Sequence, residues 1–412
     1  MRASAAKLDR IAARLGLVVV ATSPECGIAL LQDPSARPVS GVIAVGKADP
    51  DVGNIEPNHD VLLPEDPRLA QSTVAILDAV PNSRELIGFY NDSAWDAYVN
   101  QYAVPKTRLS QAQTAWGVMG TGTVAIIDTG IDPRHTILAN YIQPGYDFTR
   151  NTAGVPSEFD DIGVVDQSTV AILDNASAVQ VNQSTVAILD SSLMKELAKV
   201  KAYGAFGHGT MVAGLVHLAA PRVGIMPLKA FHASGQGSLY DVIRAIYYAV
   251  DKGATVINMS FSLESHSNEL QAAISHANSR RVLCVASAGN SGKLTVVYPA
   301  GYKKVEGIAS TGPNDERSAF TNYGGMLVAV AAPGENLITS YPGKNWAMVS
   351  GTSFSTALVS GGVALLAQLD RNLNQAQAGD ALAQAQPLGP ELGAGRVDFF
   401  RACQYAATHS GK

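Results

Sequence analysis

Charge is scarce in this chain. Lys, Arg, Asp and Glu make up 16% of it, and the 30 basic residues fall short of the 35 acidic ones. A formal net charge of −5 argues against a nucleic-acid partner, which would call for clustered Lys and Arg. Cysteine is scarcer still. Cys26, Cys284 and Cys403 are odd in number, lie far apart and form no CxxC, so neither a zinc site nor a disulfide framework is indicated. Cys284 sits in the apolar run VLCVAS and reads as a small core residue, since no His stands in a partner motif for it. No run of about 18 apolar residues occurs, so no membrane span is expected. Basic residues ahead of LGLVVVA resemble a weak export signal, but Asp9 and Arg14 interrupt it. Apolar spacing at Leu8, Ile11, Ala12 and Leu15 predicts instead a helix over 5–15, followed by a strand over 17–20.

What the chain has is apolar residues, 47% of 412, enough for a large core. That length favours one large α/β domain plus a smaller segment. Residues 1–68 read as a small α+β unit, in which the helix is followed by the apolar runs LVVV, GIALL and VSGVIAV. Residues 69–115 read as a linker with some helix, notably SAWDAYVNQYA. From residue 122 strand runs alternate with amphipathic helices: TVAIID, MVAGLVHLA, VGIMPLKAF, LYDVIRAIYYAVDKG, TVINMSFS, NELQAAISHANSR, VLCVASAGN. In LYDVIRAIYYAV the apolar positions Leu239, Val242, Ile243, Ile246, Tyr247 and Val250 make one stripe. Strands alternating with such helices imply right-handed crossovers and a parallel sheet covered on both faces. The polar stretch 150–203 breaks this rhythm and reads as an insertion.

The octapeptide QSTVAILD occurs three times, at 71–78, 167–174 and 183–190. A cousin, TVAIID, ends in Asp128. Only Asp128 continues into Thr-Gly, so it alone is expected to do chemistry, and Asp78, Asp174 and Asp190 are expected to cap strand ends. The second and third copies are close enough to pair as a hairpin. The repeats fit a repetitive element inserted into tolerant loops, or exposed strands that add to a partner.

Three glycine-flanked stretches carry candidate chemistry. In TVAIIDTGID, Asp128 stands at the carboxyl edge of a buried strand, where ligands and catalytic groups of parallel sheets gather. In FGHGTMVAGLVHL, His208 opens a helix, and Gly207 and Gly209 let other backbone approach its ring. In VSGTSFSTALVSG, Ser353 opens an apolar helix and meets its free N–H groups and positive dipole end. Singly, each has a plain reading as a turn residue, a capping residue or an N-cap. Together and in this order they mean more.

DTGID, GHGTMVAG and SGTSFSTALVSG resemble the three signatures of the subtilisin-like serine proteases, over roughly residues 101–407. The order Asp, His, Ser is itself the known subtilisin order. The resemblance implies a three-layer α/β fold, with a central parallel sheet, helices on both faces and a small α+β propeptide-like domain in front. It implies that residues 116–410 are the catalytic domain and 69–115 the maturation region. It further implies that Asp128 orients His208, that His208 takes the proton of Ser353, and that Ser353 attacks a peptide carbonyl. Asn290 in VLCVASAGNSG matches the family's oxyanion donor, beside the Ser353 backbone N–H. Ser234, Gly235, Gln236, Gly237 and Ser238 resemble the edge that pairs with substrate backbone. Ser260, Phe261 and Ser262 resemble a wall of the pocket before the cut.

The implied partners are an extended peptide or unfolded protein and the chain's own first 68 residues, as intramolecular inhibitor and folding aid. VGNIEPNHDVLL resembles the end of such a segment. No cofactor is required for the chemistry, and the structural calcium common in the family is left unlocated. Secretion or a periplasmic location is implied, without a clear signal peptide. Two positions depart from the family pattern: Phe354 stands where Met is usual and Leu358 where Pro is usual. Rival readings are a catalytically silent scaffold that binds peptides, and the acid-active relatives that use Glu and Asp with Ser. GHGT speaks against the second.

Overall fold

The computed structural model describes residues 1–63, 84–162, 186–188 and 203–410. The leader is a four-stranded sheet in the order β2-β3-β1-β4: β1 Arg2–Ala3, β2 Val18–Ser23, β3 Ile28–Gln32, β4 Val52–Asn54. The helix Leu8–Leu15 buries Leu8, Ile11, Ala12 and Leu15, the stripe that its spacing predicts. It starts three residues later than expected because Ala5–Lys7 winds as a tighter 3-10 turn. Of the three apolar runs, two become β2 and β3, while VSGVIAV falls in the helix Val39–Ala48. A last strand of the leader, β5 (Asp60–Leu62), stands outside this sheet.

Residues 86–116 pack as part of the large domain. The hairpin β6 (Leu86–Phe89) and β7 (Asp92–Trp95) is followed by helices Asp96–Val99, Ala103–Lys106 and Leu109–Trp116. Trp95 stacks on Trp346 at 5.4 Å. Tyr98 is fully buried and donates to Gly214 O at 2.7 Å.

The main sheet has eight strands in the order β10-β9-β12-β8-β14-β15-β16-β17. These are β8 Thr123–Asp128, β9 Gly145–Asp147, β10 Thr152–Gly154, β12 Gly224–Lys229, β14 Val256–Met259, β15 Leu283–Ser287, β16 Glu306–Thr311 and β17 Val330–Pro333. All pair in parallel except β10, a short antiparallel edge. β8, β12, β14, β15, β16 and β17 are buried at every position, as strands covered on both faces must be. Val124 and Ile126 pack toward helices His208–Ala219 and Thr352–Leu369. Ala125 and Ile127 pack toward Leu239–Asp251 and Asn268–Ser279. The period of two thus builds a three-layer sandwich, with the carboxyl ends of its parallel strands along one rim. Among the described residues one helix, Thr352–Leu369, is long and apolar enough to cross a membrane, but 89% of it is buried in this core.

Two further pairings matter near that rim. β13 (Gln236–Ser238) runs antiparallel to β5 of the leader. In the other, β11 (Val186–Ile188) joins the hairpin β18 (Leu337–Tyr341) and β19 (Asn345–Val349). β11 is the centre of the third octapeptide and pairs with β19. The hairpin expected between it and the second copy lies outside the described residues. The first and second copies, with Asp78 and Asp174, and Asp190 of the third, lie outside the described residues.

His217, in the helix His208–Ala219, is 1% exposed, with its ring 4.5 Å from Tyr141 and 5.5 Å from Phe89. Burial, helped by nearby His135, pushes its pKa down to about 3. The folded chain therefore holds it neutral, while the unfolded chain takes a proton below about pH 6.5. Stability from this site is present above pH 6.5 and is lost as pH falls toward 3. His217→Leu should move the acid-unfolding midpoint of the full chain to lower pH, removing a penalty of about a few kcal/mol. Circular dichroism between pH 3 and 7 reads this out, and an unmoved midpoint counts against it.

Candidate active site

Asp128 ends β8 and is fully buried. Its backbone neighbour Thr129 donates from N to Oδ1 at 2.8 Å. Across from it, Nδ1 of His208 lies 2.8 Å from Oδ1 and 2.9 Å from Oδ2. His208 is 2% exposed and is the first residue of its helix. This close approach needs both flanking glycines. A Cβ on Gly209 would stand 2.1 Å from Gly130 O, and Gly207 has a φ of +89° with Tyr341 and Pro342 against it.

Ser353 is the second residue of the helix Thr352–Leu369 and is 1% exposed. The next residue, Phe354, sets its ring 5.7 Å from the imidazole of His208, so the two helices bring Ser353 and His208 into one neighbourhood. Ser353 Oγ makes no hydrogen bond among the described residues. Its carbonyl accepts from Ser260 Oγ at 3.3 Å, and Ser260 in turn accepts from Asn258 at 2.9 Å. Phe354 is fully buried in the core, so the exchange of Met for Phe keeps an apolar contact. Leu358 continues the helix without a break.

Asn290 follows β15 and is 5% exposed. Its Oδ1 accepts from Thr352 N at 3.0 Å and from Thr352 Oγ1 at 2.7 Å. The first of those two bonds decides which branch of the amide is oxygen, because a backbone N–H can only donate. Both bonds tie the Asn290 loop to the residue before Ser353.

The expected substrate segments lie on either side of the leader's last described residues. Gln236, Gly237 and Ser238 pair with Leu62, Val61 and Asp60. Leu63 N donates to Gly235 O at 3.1 Å, and Ser262 N donates to Leu62 O at 3.4 Å from the opposite side. Ser234 bonds locally to Gln236 N. Phe261 is fully buried with its ring 5.4 Å from Phe231, so of the Ser260–Ser262 stretch Ser262 alone forms a bridge to the leader among the described residues.

Sequence reading missed Glu158, which is 0% exposed and reaches Thr129, Gly207 and Thr210. Burial and the charge of Asp128 push its pKa up to about 7, against the pull of Lys229. It lies in a polar stretch with no motif, so nothing local marked it. Burial pushes the Cys284 thiol up to about 12, which leaves it without thiolate character at neutral pH. Among the described residues no group of three His, Cys, Asp or Glu is arranged to hold a metal, so calcium has no assigned ligands.

A family model described as the subtilase family matches residues 120–399. Thermitase of Thermoactinomyces vulgaris is 31% identical over 299 residues, covering 72% of this chain and 94% of that protein. A thermophilic serine proteinase of Bacillus sp. (strain AK1) is 29% identical over 320 residues, covering 76% and 69%. Subtilisin Savinase of Lederbergia lenta is 36% identical over 180 residues, covering 42% and 66%. Among solved structures, fervidolysin of Fervidobacterium pennivorans matches the fold with a TM-score of 0.70 at 20% identity. That match covers 97% of this chain, which spans 59% of the fervidolysin chain.

Proposed function

The chain belongs to the subtilase family, and we propose that it is a serine endopeptidase working through Asp128, His208 and Ser353. The observation that carries this reading is the buried contact of the Asp128 carboxylate with His208 Nδ1, at the rim where the Ser353 helix begins. Asp128 accepts the Nδ1 proton, which leaves Nε2 as the basic nitrogen. Nε2 takes the proton from Ser353 Oγ as that oxygen attacks the peptide carbonyl. The C–N bond then breaks, Nε2 returns the proton to the leaving amine, and water hydrolyses the acyl-enzyme by the same route. Nucleophile–base bonds are often loose until substrate tightens them, which fits an unbonded Ser353 Oγ. Asn290 Nδ2 and Ser353 N donate to the oxyanion, stabilising the transition state more than the ground state. No cofactor enters these steps.

The proposal includes the leader as inhibitor and folding aid. β5 lies along Gln236–Ser238 as an extended substrate would, using main-chain bonds that any peptide offers. The rest of the leader grips the two outer helices. Glu56 accepts from Asn268 N at 3.1 Å, and Asn58 accepts from Tyr240 N at 2.9 Å, so each caps a helix start. Glu269, 5% exposed, accepts from Arg2 at 2.7 and 2.9 Å and from Asn54 at 2.9 Å. We place the maturation cut within residues 69–83, the first part of the expected 69–115, because residues from Phe89 onward pack into the core of the large domain. Export belongs to the proposal, as the resemblance implies.

Incubation with a denatured protein tests the activity. Wild type should produce new peptide termini and Ser353→Ala should not; silence from both would return the peptide-binding scaffold reading. The leader has its own test. Glu269→Ala strands Arg2 and should weaken retention of the cut leader about tenfold or more. Size-exclusion chromatography of the matured protein reads this, and equal retention in the variant counts against the grip described.

A further inference from the structure

A buried carboxylate is costly unless donors surround it. Glu158 has them. Oε2 accepts from Gly207 N at 3.1 Å, and Oε1 accepts from Thr210 N at 3.1 Å, Thr210 Oγ1 at 3.3 Å and Thr129 Oγ1 at 3.0 Å. Gly207 and Thr210 flank the start of the His208 helix. That end has no side-chain cap of its own, so a residue 49 positions before Gly207 supplies the anion its dipole favours. Thr129, the other partner, directly follows Asp128. One carboxylate therefore fastens the strand end that carries Asp128 to the helix end that carries His208.

The link runs through a single proton. Thr129 Oγ1 accepts from Gly209 N at 3.0 Å, and it lies 3.0 Å from Glu158 Oε1 and 3.2 Å from Asp128 Oδ1. A hydroxyl has one hydrogen to give, so the two carboxylates compete for it. With Glu158 protonated, its own O–H can donate to Thr129, and the threonine proton then goes wholly to Asp128. With Glu158 ionised, its negative charge stands beside the Asp128–His208 pair and favours the imidazolium.

We propose that Glu158 is a positioning residue for the reaction, holding His208 against Asp128 and raising the proton affinity of the imidazole through its charge. This rests on the active-site reading given above. Burial holds Glu158 near pH 7, where its charge changes within the working range. The charged and titratable groups around it are Asp128 from β8, Lys229 from β12, Tyr341 from β18, and His208 just beyond Gly207. Lys229 is itself tied to Thr129 O at 2.5 Å and to Asp161 at 2.8 Å.

The test is the pH profile of kcat and kcat/KM, from pH 5 to 9, for hydrolysis of a small activated ester by protein matured from the full chain. Glu158→Gln should lower kcat on the order of ten- to a hundredfold, since small misplacements of a base are costly. It should leave KM nearly unchanged and move the acid limb of kcat/KM to lower pH by about half a unit or more, because a negative charge near the imidazole has been removed. Glu158→Asp, which keeps the charge, should keep the limb at its wild-type position. A Glu158→Gln protein with wild-type kcat and an unmoved limb overturns the proposal, as does one that loses only thermal stability. Should Glu158→Gln not fold, Thr129→Val breaks the same link: a reduced kcat restored by Thr129→Ser supports the proposal, and a wild-type kcat overturns it. Full ester hydrolysis by Ser353→Ala would sink the active-site reading, and this inference with it.

Discussion

Ser353→Ala is expected to abolish peptide hydrolysis, with a loss of kcat on the order of 10⁶-fold, a magnitude that itself comes from a subtilisin. The variant removes the atom proposed to form the acyl bond, and no neighbouring side chain can replace it. Thr352 Oγ1 is engaged with Asn290, and Ser355 Oγ donates to Ala332 O at 3.0 Å. Packing should hardly change, because Ser353 Oγ makes no hydrogen bond among the described residues that alanine would break. The melting temperature should therefore match wild type. The variant should also keep its leader covalently attached if maturation is the chain's own reaction. Intact mass before and after incubation separates the cases: a cut Ser353→Ala chain would show that another protease does the cutting.

Asp128→Asn should lower kcat by about 10⁴-fold while leaving the fold intact. The substitution is nearly isosteric, so shape is kept. What changes is the proton on the ring. The buried carboxylate accepts from Nδ1 with both oxygens, at 2.8 and 2.9 Å. Asparagine presents an N–H₂ branch there, which favours the tautomer with its hydrogen on Nε2. That nitrogen then cannot take the proton of Ser353. Rising pH should not restore the rate, because the tautomer is wrong at every pH where the ring is neutral. A loss under tenfold in kcat, with the same pH profile, would show that Asp128 does not govern the ring.

Much of this site was legible because its chemistry sits in short glycine-flanked runs. DTG, GHGT and GTS each place a candidate catalytic side chain at the end of an element, and glycine there reports a close approach, as at Gly209 against Gly130. The alternation of TVAIID-type strands with stripes such as Leu239, Val242, Ile243 and Ile246 fixed the layers. The rest depended on long-range partners. Glu158 looks like any polar residue of a surface stretch until the fold sets it under the His208 helix. Residues 86–115 read as part of a linker because nothing local shows that Trp95 meets Trp346, or that Tyr98 reaches Gly214. Proximity alone suggests a hairpin between two octapeptide repeats, but it cannot show that β11 pairs with β19, some 160 positions away. The leader's capping residues, Glu56 and Asn58, look like loop residues until the helices they cap come into view.

The claim beneath all of this is that Ser353 is an activated nucleophile at one rim of the sheet, served by His208 and Asp128. Reaction of the matured protein with a fluorophosphonate, followed by peptide mapping, tests it most directly. One adduct is expected, on the peptide that contains Ser353, with labelling lost in His208→Ala. An unlabelled protein, or an adduct on a different serine, would contradict it.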